Sequence, residues 1–137
     1  MSIVLDGSAT LAWIYPDETT DAILAVFDHV IHKGAFVPDL WRIEIANSLT
    51  QGVRRSRITL QERSESLADL ASLGIITDNQ TGKHIWSDTL ALADRHRLTV
   101  YDATYLELAL RLALPLATLD DELREAALRE GLAVMGK

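Results

Sequence analysis

The sequence contains no cysteine, and none of its apolar runs approaches the length of a membrane span. The lack of cysteine excludes a disulfide framework and any thiolate metal site. A transmembrane helix needs about 20 consecutive apolar residues, so no membrane partner is predicted. The segment Met1–Asp6 lacks the basic residues of a signal peptide and reaches a charge after three apolar residues. These absences predict a cytoplasmic protein whose first apolar segment is a buried strand.

The chain also lacks internal repeats, low-complexity tracts and linkers rich in proline, glycine or serine. Hydrophobic residues make up 48% and charged residues 24% of the sequence, which is typical of a folded domain rather than a disordered chain. A length of 137 residues is sufficient for one core and too short for two domains. We therefore expect a single domain over residues 1–137.

Short apolar runs alternate with longer segments of helical periodicity. Strands are predicted at Ile3–Leu5, Ala35–Val37, Gly74–Ile76, Leu116–Thr118 and Leu132–Val134. Helices are predicted at Ser8–Tyr15, Asp17–Ile31, Asp39–Val53, Thr59 to about Ser72, Thr81–His96, Asp102–Leu112 and Asp121–Arg129. In the third helix, Leu40, Ile43 and Asn47 are expected to face the core. The alternation predicts an α/β fold, a three-layer α/β/α sandwich with a central, mainly parallel sheet.

Basic residues are scarce: 13 Lys and Arg stand against 20 Asp and Glu, for a net charge of −7. Proteins that bind nucleic acids are usually basic, so this balance needs an explanation. The charge is uneven, because Trp41–Arg57 carries four arginines against Glu44 alone, a local charge of +3. Two interpretations of Arg54, Arg55 and Arg57 remain open. They contact a phosphate backbone beside an acidic pocket, or they form a solvated helix end.

Four acidic residues lie far apart in the sequence, at positions where strand ends or helices could direct them into one pocket. They are Asp6, Glu44, Asp102 and Asp120. Ligands of open parallel sheets bind at the carboxyl ends of the strands, which favours convergence of these side chains. Converging acids raise one another's pKa values unless a cation compensates them, and hard oxygen ligands favour Mg²⁺ or Mn²⁺. Acid-only sites of this kind most often act on phosphate esters, so a metal-dependent nuclease is predicted.

Each of these acids also has a structural interpretation. Asp6 and Asp102 could cap helices, and Glu44 could be an ordinary exposed residue on its helix. Asp120 is the most ambiguous, because Thr118 and Asp121 could form a capping pair around it. The Thr-x-Asp spacing favours Asp120 over Asp121 as the fourth acid.

Four segments taken together resemble PIN-domain ribonucleases, and among these the VapC toxins of bacterial toxin–antitoxin pairs. The segments are Val4–Ser8, Pro38–Leu49, Tyr101–Ala109 and Leu116–Leu123, and the Tyr-Asp-Ala-x-Tyr element is the most specific. The resemblance covers nearly the whole chain. It implies an endoribonuclease dependent on Mg²⁺ or Mn²⁺, whose metal-binding acids are Asp6, Glu44, Asp102 and Asp120. It further implies that Ser8, Asn47 and Thr118 line or support the site.

The same resemblance implies a small antitoxin protein as partner. Apolar helix faces around Trp13–Tyr15, or around Leu67, Leu70 and Leu73, could form its groove or the surface of a homodimer, although ordinary core packing is the favoured explanation for any single one of these residues.

Other functions are compatible with parts of the sequence. A PIN-type nuclease could process RNA without being a toxin, and the acids of a partner-binding domain could be vestigial. A haloacid-dehalogenase-type phosphatase would need Asp-x-Asp where the chain has Asp6-Gly7-Ser8, and a phospho-receiver domain would need adjacent acids near the first strand and a late lysine.

Overall fold

Five short strands form a central sheet in which every neighbouring pair is parallel. The computed structural model describes residues 1–137. The strands are β1 Ile3–Leu5, β2 Ala35–Val37, β3 Ile75–Thr77, β4 Leu116–Ala117 and β5 Val134–Met135, in the order β3-β2-β1-β4-β5. The three residues of β1 are completely buried, as expected for the middle strand of a sheet that is covered on both faces.

Seven α-helices connect and cover the strands. They are α1 Gly7–Ile14, α2 Asp21–Lys33, α3 Asp39–Arg54, α4 Leu60–Ser72, α5 Leu90–His96, α6 Val100–Leu112 and α7 Asp121–Arg129. Helix α1 packs against α2 and α3, α3 packs against α4, and α6 packs against α5 and α7. Right-handed crossovers place the first group on one face of the sheet and the second group on the other. The predicted three-layer α/β/α sandwich is therefore confirmed.

The strand order creates a switch point beside β1. The chain builds outward from β1 to β2 and β3, then returns to form β4 and β5 on the opposite side of β1. Connections leave the sheet in opposite directions at the carboxyl ends of β1 and β4, which opens a crevice there. Asp6 directly follows β1, and Thr118–Asp120 follow β4, so both segments border this crevice.

Two helix starts differ from the predicted ones because threonine hydroxyls cap the helices. The second helix begins at Asp21 rather than Asp17, since the Thr20 side chain accepts a hydrogen bond from the Ile23 N–H and Pro16–Glu18 form a 3₁₀ turn. Helix α6 begins before Asp102, because Thr99 accepts a hydrogen bond from the Asp102 backbone N–H. Threonine in this position satisfies a free amide at the helix start.

The predicted helix Thr81–His96 is divided into three pieces. Thr81–Lys83 form a 3₁₀ turn, Ile85–Thr89 form a π-helical turn, and only Leu90–His96 is α-helical. The Thr81 hydroxyl donates to the Asp78 carboxylate at 2.7 Å, a local bond that competes with regular helix formation. Gly82, a poor helix former, follows directly.

Of the predicted core face of α3, Leu40 packs against the core, but the prediction is wrong for Ile43 and Asn47. The buried residues are Trp41, Ile45, Leu49 and Gly52, whereas Ile43 is 67% exposed and Asn47 is exposed. Trp41, Ile45 and Leu49 recur every four residues and so form one helical stripe against the core. Asn47 lies on the opposite side of the helix.

The backbone at Gly34 ends α2 and places β2 beside β3. Gly34 ends α2 with a φ of 77°, in the left-handed region, and a side chain there would lie 2.8 Å from the Gly74 carbonyl oxygen. This close approach lets the Ala35 N–H donate to the same carbonyl and start β2 beside β3.

None of the helices combines the length and the apolar character that crossing a membrane requires.

Candidate active site

Asp6 is a buried carboxylate at the carboxyl end of the central strand, with 4% of its surface exposed. Its Oδ1 accepts hydrogen bonds from the Ala9 N–H at 2.9 Å and from the Ser8 hydroxyl at 2.8 Å. Its Oδ2 accepts a hydrogen bond from the Thr118 hydroxyl. Asp6 therefore caps α1 and also occupies the crevice between β1 and β4, so the structural interpretation and the site interpretation both describe its position.

Ser8 and Thr118 connect the two strand ends. The Ser8 hydroxyl also accepts a hydrogen bond from the Leu119 N–H at 2.9 Å, and the Thr118 hydroxyl accepts one from the Asp120 N–H at 3.0 Å. Both hydroxyls thus join the β1 segment to the β4 segment through Asp6. The arrangement fixes the direction of the Asp6 carboxylate and the start of α7.

Glu44 reaches the crevice from α3. Its Oε1 accepts a hydrogen bond from the Tyr105 hydroxyl on α6, and Tyr105 is almost completely buried. A methyl group added to Gly7 would lie 3.7 Å from the Glu44 carboxyl group, so the first turn of α1 is in contact range of this side chain. Burial, followed by the hydrogen bond to Glu44, raises the pKa of Tyr105. The phenol therefore stays protonated and donates to the carboxylate.

Asp102 and Asp120 both lie at helix starts. Asp102 is in the first turn of α6, where Thr99 is the capping residue. Asp120 is the N-cap of α7, and its Oδ1 accepts a hydrogen bond from the Leu123 N–H at 2.8 Å. The alternative in which Thr118 caps this helix with Asp121 is wrong. Asp121 is exposed and pairs with Lys137.

The electrostatics relate the other three acids to Asp102. Burial first, and then the charges of Asp120 and Glu44, raise the pKa of Asp102 to about 6. Burial is also the main cause that raises the pKa of Asp6 to about 6, with a smaller contribution from the Asp102 charge, although hydrogen bonds to Asp6 oppose the shift. Residues separated by up to 114 positions in the sequence thus share one region of negative potential. A cation bound there would relieve the repulsion.

The donor chemistry fits a hard divalent cation, because every available ligand atom is a carboxylate or hydroxyl oxygen. No three acidic side chains lie close enough together to coordinate a single ion jointly. Mg²⁺ keeps several of its waters in protein sites and needs only one or two direct carboxylates. The arrangement therefore suits an ion held partly through water.

The remaining predicted residues lie elsewhere. Asn47 makes no side-chain hydrogen bond, and it lines a shallow groove on the outer face of α3 together with Arg42 and Arg54. Arg57 is held by Asp17 and Glu18 and stacks on the Tyr15 ring at 3.6 Å, so its charge is largely neutralised. Arg54 and Arg55 are exposed and form no ion pair.

Two supporting interactions were missing from the sequence interpretation. Tyr105 belongs to the Tyr-Asp-Ala-x-Tyr element and lies one helical turn after Asp102, which was a usable signal for its place in the site. The Trp41 indole N–H donates to the Thr10 hydroxyl at 2.9 Å, and that hydroxyl donates to the Asp6 carbonyl oxygen at 2.8 Å. No sequence pattern indicates this second connection, which ties α3 to the backbone of Asp6.

The raised pKa values predict how stability depends on pH in metal-free protein. Asp6 and Asp102 bind protons more tightly when folded than when unfolded, so between about pH 4 and pH 6.5 the free energy of unfolding should fall as pH rises. For Asp6 alone the shift corresponds to roughly 2–3 kcal/mol. The measurement is chemical denaturation in EDTA at several pH values, repeated at pH 7 with Mg²⁺, which should restore part of the loss. A free energy of unfolding that rises over this window would contradict the prediction.

Comparison with known proteins agrees with this geometry. Residues 3–128 match the family model of the PIN domain. The chain is 31% identical over 125 residues to Ribonuclease VapC3 from Pyrobaculum aerophilum, an alignment that covers 91% of this chain and 94% of that protein. The fold is similar to the crystal structure of PAE2754 from Pyrobaculum aerophilum, with a TM-score of 0.70, 23% identity, and coverage of 98% of this chain and 89% of that one.

The crystal structure of FitAcB from Neisseria gonorrhoeae is also similar in fold, with a TM-score of 0.58 and 20% identity, covering 98% of this chain and 96% of that one. These two structures support the arrangement of strands and helices. The family match and the 31% identical relative both extend over nearly the entire sequence. The chain therefore belongs to the PIN-domain family.

Proposed function

We propose that the protein is a metal-dependent endoribonuclease and the toxin of a toxin–antitoxin pair. The observation that carries the proposal is the mutual electrostatic influence of Asp102, Asp120 and Glu44 beside buried Asp6, at the switch point of the sheet. The similarity to a protein named Ribonuclease VapC3 supports the same reading. A pocket of acids is a poor place for RNA unless a cation is present, since phosphates would be repelled.

Asp6, Glu44, Asp102 and Asp120 would hold Mg²⁺ or Mn²⁺, some of them through water. A bound ion would neutralise charge on the scissile phosphodiester and lower the pKa of a water molecule. The chain's own groups orient the acids: the hydroxyls of Ser8 and Thr118 fix Asp6, and the Tyr105 hydroxyl fixes Glu44. Of Arg54, Arg55 and Arg57, only the first two have no acidic partner, and they are the proposed contacts with the RNA backbone.

Incubation of the pure protein with labelled single-stranded RNA tests the activity. Cleavage is expected with Mg²⁺ or Mn²⁺, should stop in EDTA, and should return when the metal is restored in excess. Single-stranded RNA is the expected substrate because its unstacked backbone can enter a cleft. Cleavage that persists in EDTA would contradict metal dependence, and no cleavage under any of these conditions would contradict the nuclease proposal.

Asp120 and Asp121 offer a matched pair for locating the fourth acid. Asp120→Asn keeps the helix cap, because asparagine caps as well as aspartate, and so removes only the charge. We expect it to reduce cleavage strongly, by at least about tenfold. Asp121→Asn should leave cleavage unchanged and reduce stability only slightly, through the helix dipole and the Lys137 pair. The opposite order of effects in a cleavage assay would shift the fourth acid to Asp121.

The proposed partner is a small antitoxin protein, and a homodimer is the proposed state of the nuclease itself. Leu67 and Leu70 on α4 line an apolar groove of about 350 Å³ together with Trp41 and Ile45 on α3. An amphipathic segment of the antitoxin could place apolar side chains in this groove. An arginine extended from that segment would make charge-assisted bonds to the crowded acids in place of metal. Trp13 is a weaker candidate for this surface, because it stacks on Phe27 with ring centroids 4.2 Å apart.

Co-expression with the neighbouring open reading frame tests the toxin role. A stable complex with a small protein and growth arrest on expression of the nuclease alone are the expected results. Light scattering of the nuclease alone should give the mass of a dimer. A monomer that is harmless to its host and purifies without a partner would contradict the toxin role and leave the ribonuclease proposal standing.

A further inference from the structure

A small cavity of about 280 Å³ lies where the first turns of α3 and α6 meet the irregular segment after Asp78. Its wall is mainly apolar and aromatic, formed by Leu40, Ile85, Val100 and Tyr101. Tyr101 is 64% exposed, unlike most large aromatic residues of this chain. The volume is close to the lower end of pockets that hold small organic groups, about 300 Å³.

The cavity is adjacent to the acids of the candidate active site. Leu40 precedes Glu44 by four residues on α3, which places both on the same side of the helix one turn apart. On α6, Tyr101 directly precedes Asp102. The cavity therefore lies on the same two helices, α3 and α6, that carry Glu44 and Asp102.

The polar side chains around the cavity offer hydrogen-bond acceptors. The Thr104 hydroxyl donates its hydrogen to the Val100 carbonyl oxygen at 2.7 Å, and the Thr81 hydroxyl donates its hydrogen to Asp78 at 2.7 Å. Each hydroxyl has a single hydrogen, so both can only accept from a ligand. Asp39 is exposed, makes no hydrogen bond within the protein, and as a carboxylate also only accepts. A ligand that suits this edge must bring its own N–H donors.

We propose that this cavity binds one unstacked base of the RNA substrate, stacked on Tyr101. The proposal rests on the ribonuclease function proposed above and adds a base subsite to it. Stacking on aromatic side chains is the usual way in which proteins hold single-stranded bases. Every RNA base carries an N–H group, and the Asp39 carboxylate accepts a hydrogen bond from that group at the cavity edge.

Trp86 supports a path for single-stranded RNA beside the cavity. It follows Ile85 in the π-helical turn and is 91% exposed. Tryptophan is highly buried on average, and π-helical turns are frequent at functional sites. An exposed aromatic residue next to the cavity provides a further stacking surface for a neighbouring base. A protein surface of this kind could instead meet a second copy of the chain, which the test below distinguishes.

The test measures RNA binding separately from cleavage. Fluorescein-labelled 12-nucleotide oligo(A), oligo(C) and oligo(U) are titrated with Glu44→Gln protein in Mg²⁺, because this background is expected to bind RNA without cleaving it. Tyr101→Ala in that background should weaken binding about 5- to 150-fold, the range for loss of one stacked base. Tyr101→Phe keeps the ring and should bind nearly as well as the parent. Leu128→Ala, which removes another exposed apolar side chain, on α7, is the control and should change nothing.

The hydrogen bond at the cavity edge is tested with Asp39. Asp39→Ala removes the acceptor and should weaken binding of all three oligonucleotides about two- to tenfold, the range for one hydrogen bond. Equal binding by Tyr101→Ala and Tyr101→Phe, or unchanged binding by Asp39→Ala, would overturn the proposal.

Two further outcomes separate the proposal from its alternatives. If Tyr101→Ala or Trp86→Ala turns a dimer into a monomer in light scattering while RNA binding is unchanged, the surface is an interface between copies and the base subsite is wrong. If wild-type protein never cleaves RNA but the binding ratios are as expected, the base subsite stands and only the catalytic proposal fails.

Discussion

Asp102→Asn protein is expected to lose at least about 100-fold in RNA cleavage while it keeps its fold. The charges of Asp120 and Glu44 both raise the pKa of Asp102, so Asp102 lies within reach of two other acids of the region. Its replacement removes one negative charge and one metal ligand. The Thr99 cap of α6 is made by the Asp102 backbone N–H, which asparagine retains. Cleavage rates at saturating Mg²⁺ and a circular dichroism melt are the measurements.

Asp121→Asn is the matched control for this experiment. Asp121 is also a first-turn aspartate, on α7, so both substitutions remove a carboxylate that favours the helix dipole. Only Asp102 belongs to the acidic region, so only its substitution should stop cleavage. In metal-free protein at pH 7, Asp102→Asn should also melt at a higher temperature than the parent, because it relieves repulsion among the acids. Equal cleavage by Asp102→Asn and the parent would remove Asp102 from the site.

Asp6→Asn should also reduce cleavage, but its result is harder to interpret. The Asp6 carboxylate accepts hydrogen bonds from Ser8, Ala9 and Thr118, and an amide can accept at only one of its two atoms. Loss of activity could then follow from displacement of β4 relative to β1. Substitution of the half-buried Asp102 therefore tests the role of the acids more clearly than substitution of Asp6.

The sequence was sufficient to predict the layers of the fold because its buried strands are short apolar runs between helices. The interiors of β1 and β2 were predicted to the residue, since both lie in the middle of the sheet and are bounded by charged residues, glycine or proline. The edge strand β5 begins two residues later and ends one residue later than predicted, at Val134–Met135 rather than Leu132–Val134. Edge strands are less buried, so hydrophobicity fixes their register less strongly.

Helix faces were harder to predict than helix positions. In α3 several aliphatic residues, among them Ile43 and Ile45, are spread around the helix, and a periodic pattern can be drawn through either side. The tertiary fold decides which side of α3 is buried, because the Trp41 side chain packs inward and donates a hydrogen bond to Thr10. The same choice explains why Asn47, expected at the site, lies on the outer face. Glu44 still reaches the acids because it lies between the two faces.

That Asp6 and Asp120 border one crevice could be predicted because the topology of a parallel sheet places the ends of β1 and β4 side by side. Ser8 and Thr118 were predicted as supporting residues, but their contacts with Asp6 and the contact of Tyr105 with Glu44 were not. Hydrogen bonds over 61 or 112 residues of sequence depend on side-chain direction. Tyr105 illustrates this limit: its motif was recognised, but its contact with Glu44 was not. The ion pairs of Arg111 illustrate it further, since nothing in the sequence relates Arg111 to Asp78.

Arg111→Met is expected to destabilise the protein by about 3 kcal/mol, within a range of about 2–4. Arg111 on α6 binds two carboxylates, with Nε 2.8 Å from Glu107 Oε2 and Nη2 2.8 Å from Asp78 Oδ2. The Glu107 and Asp78 side chains are only 4% and 9% exposed, so removing the arginine leaves two poorly hydrated negative charges together. Burial alone would raise the pKa of Asp78, but hydrogen bonds from Arg111 and Thr81 lower it below its ordinary value.

Arg129→Met is the control for the Arg111 experiment. Arg129 also pairs with a glutamate four residues earlier, Glu125, but both side chains are 64% exposed. An exposed pair of this kind contributes less than about 0.5 kcal/mol, so chemical denaturation should separate the two variants clearly. Adding Glu107→Gln to Arg111→Met should recover part of the loss by removing one buried charge. Equal stability of Arg111→Met and Arg129→Met would show that Asp78 and Glu107 find water or other donors.

The Asp78 carboxylate also accepts a hydrogen bond from Thr81, which lines the cavity beside Tyr101. Arg111→Met should therefore weaken RNA binding as well as folding, whereas Arg129→Met should change neither.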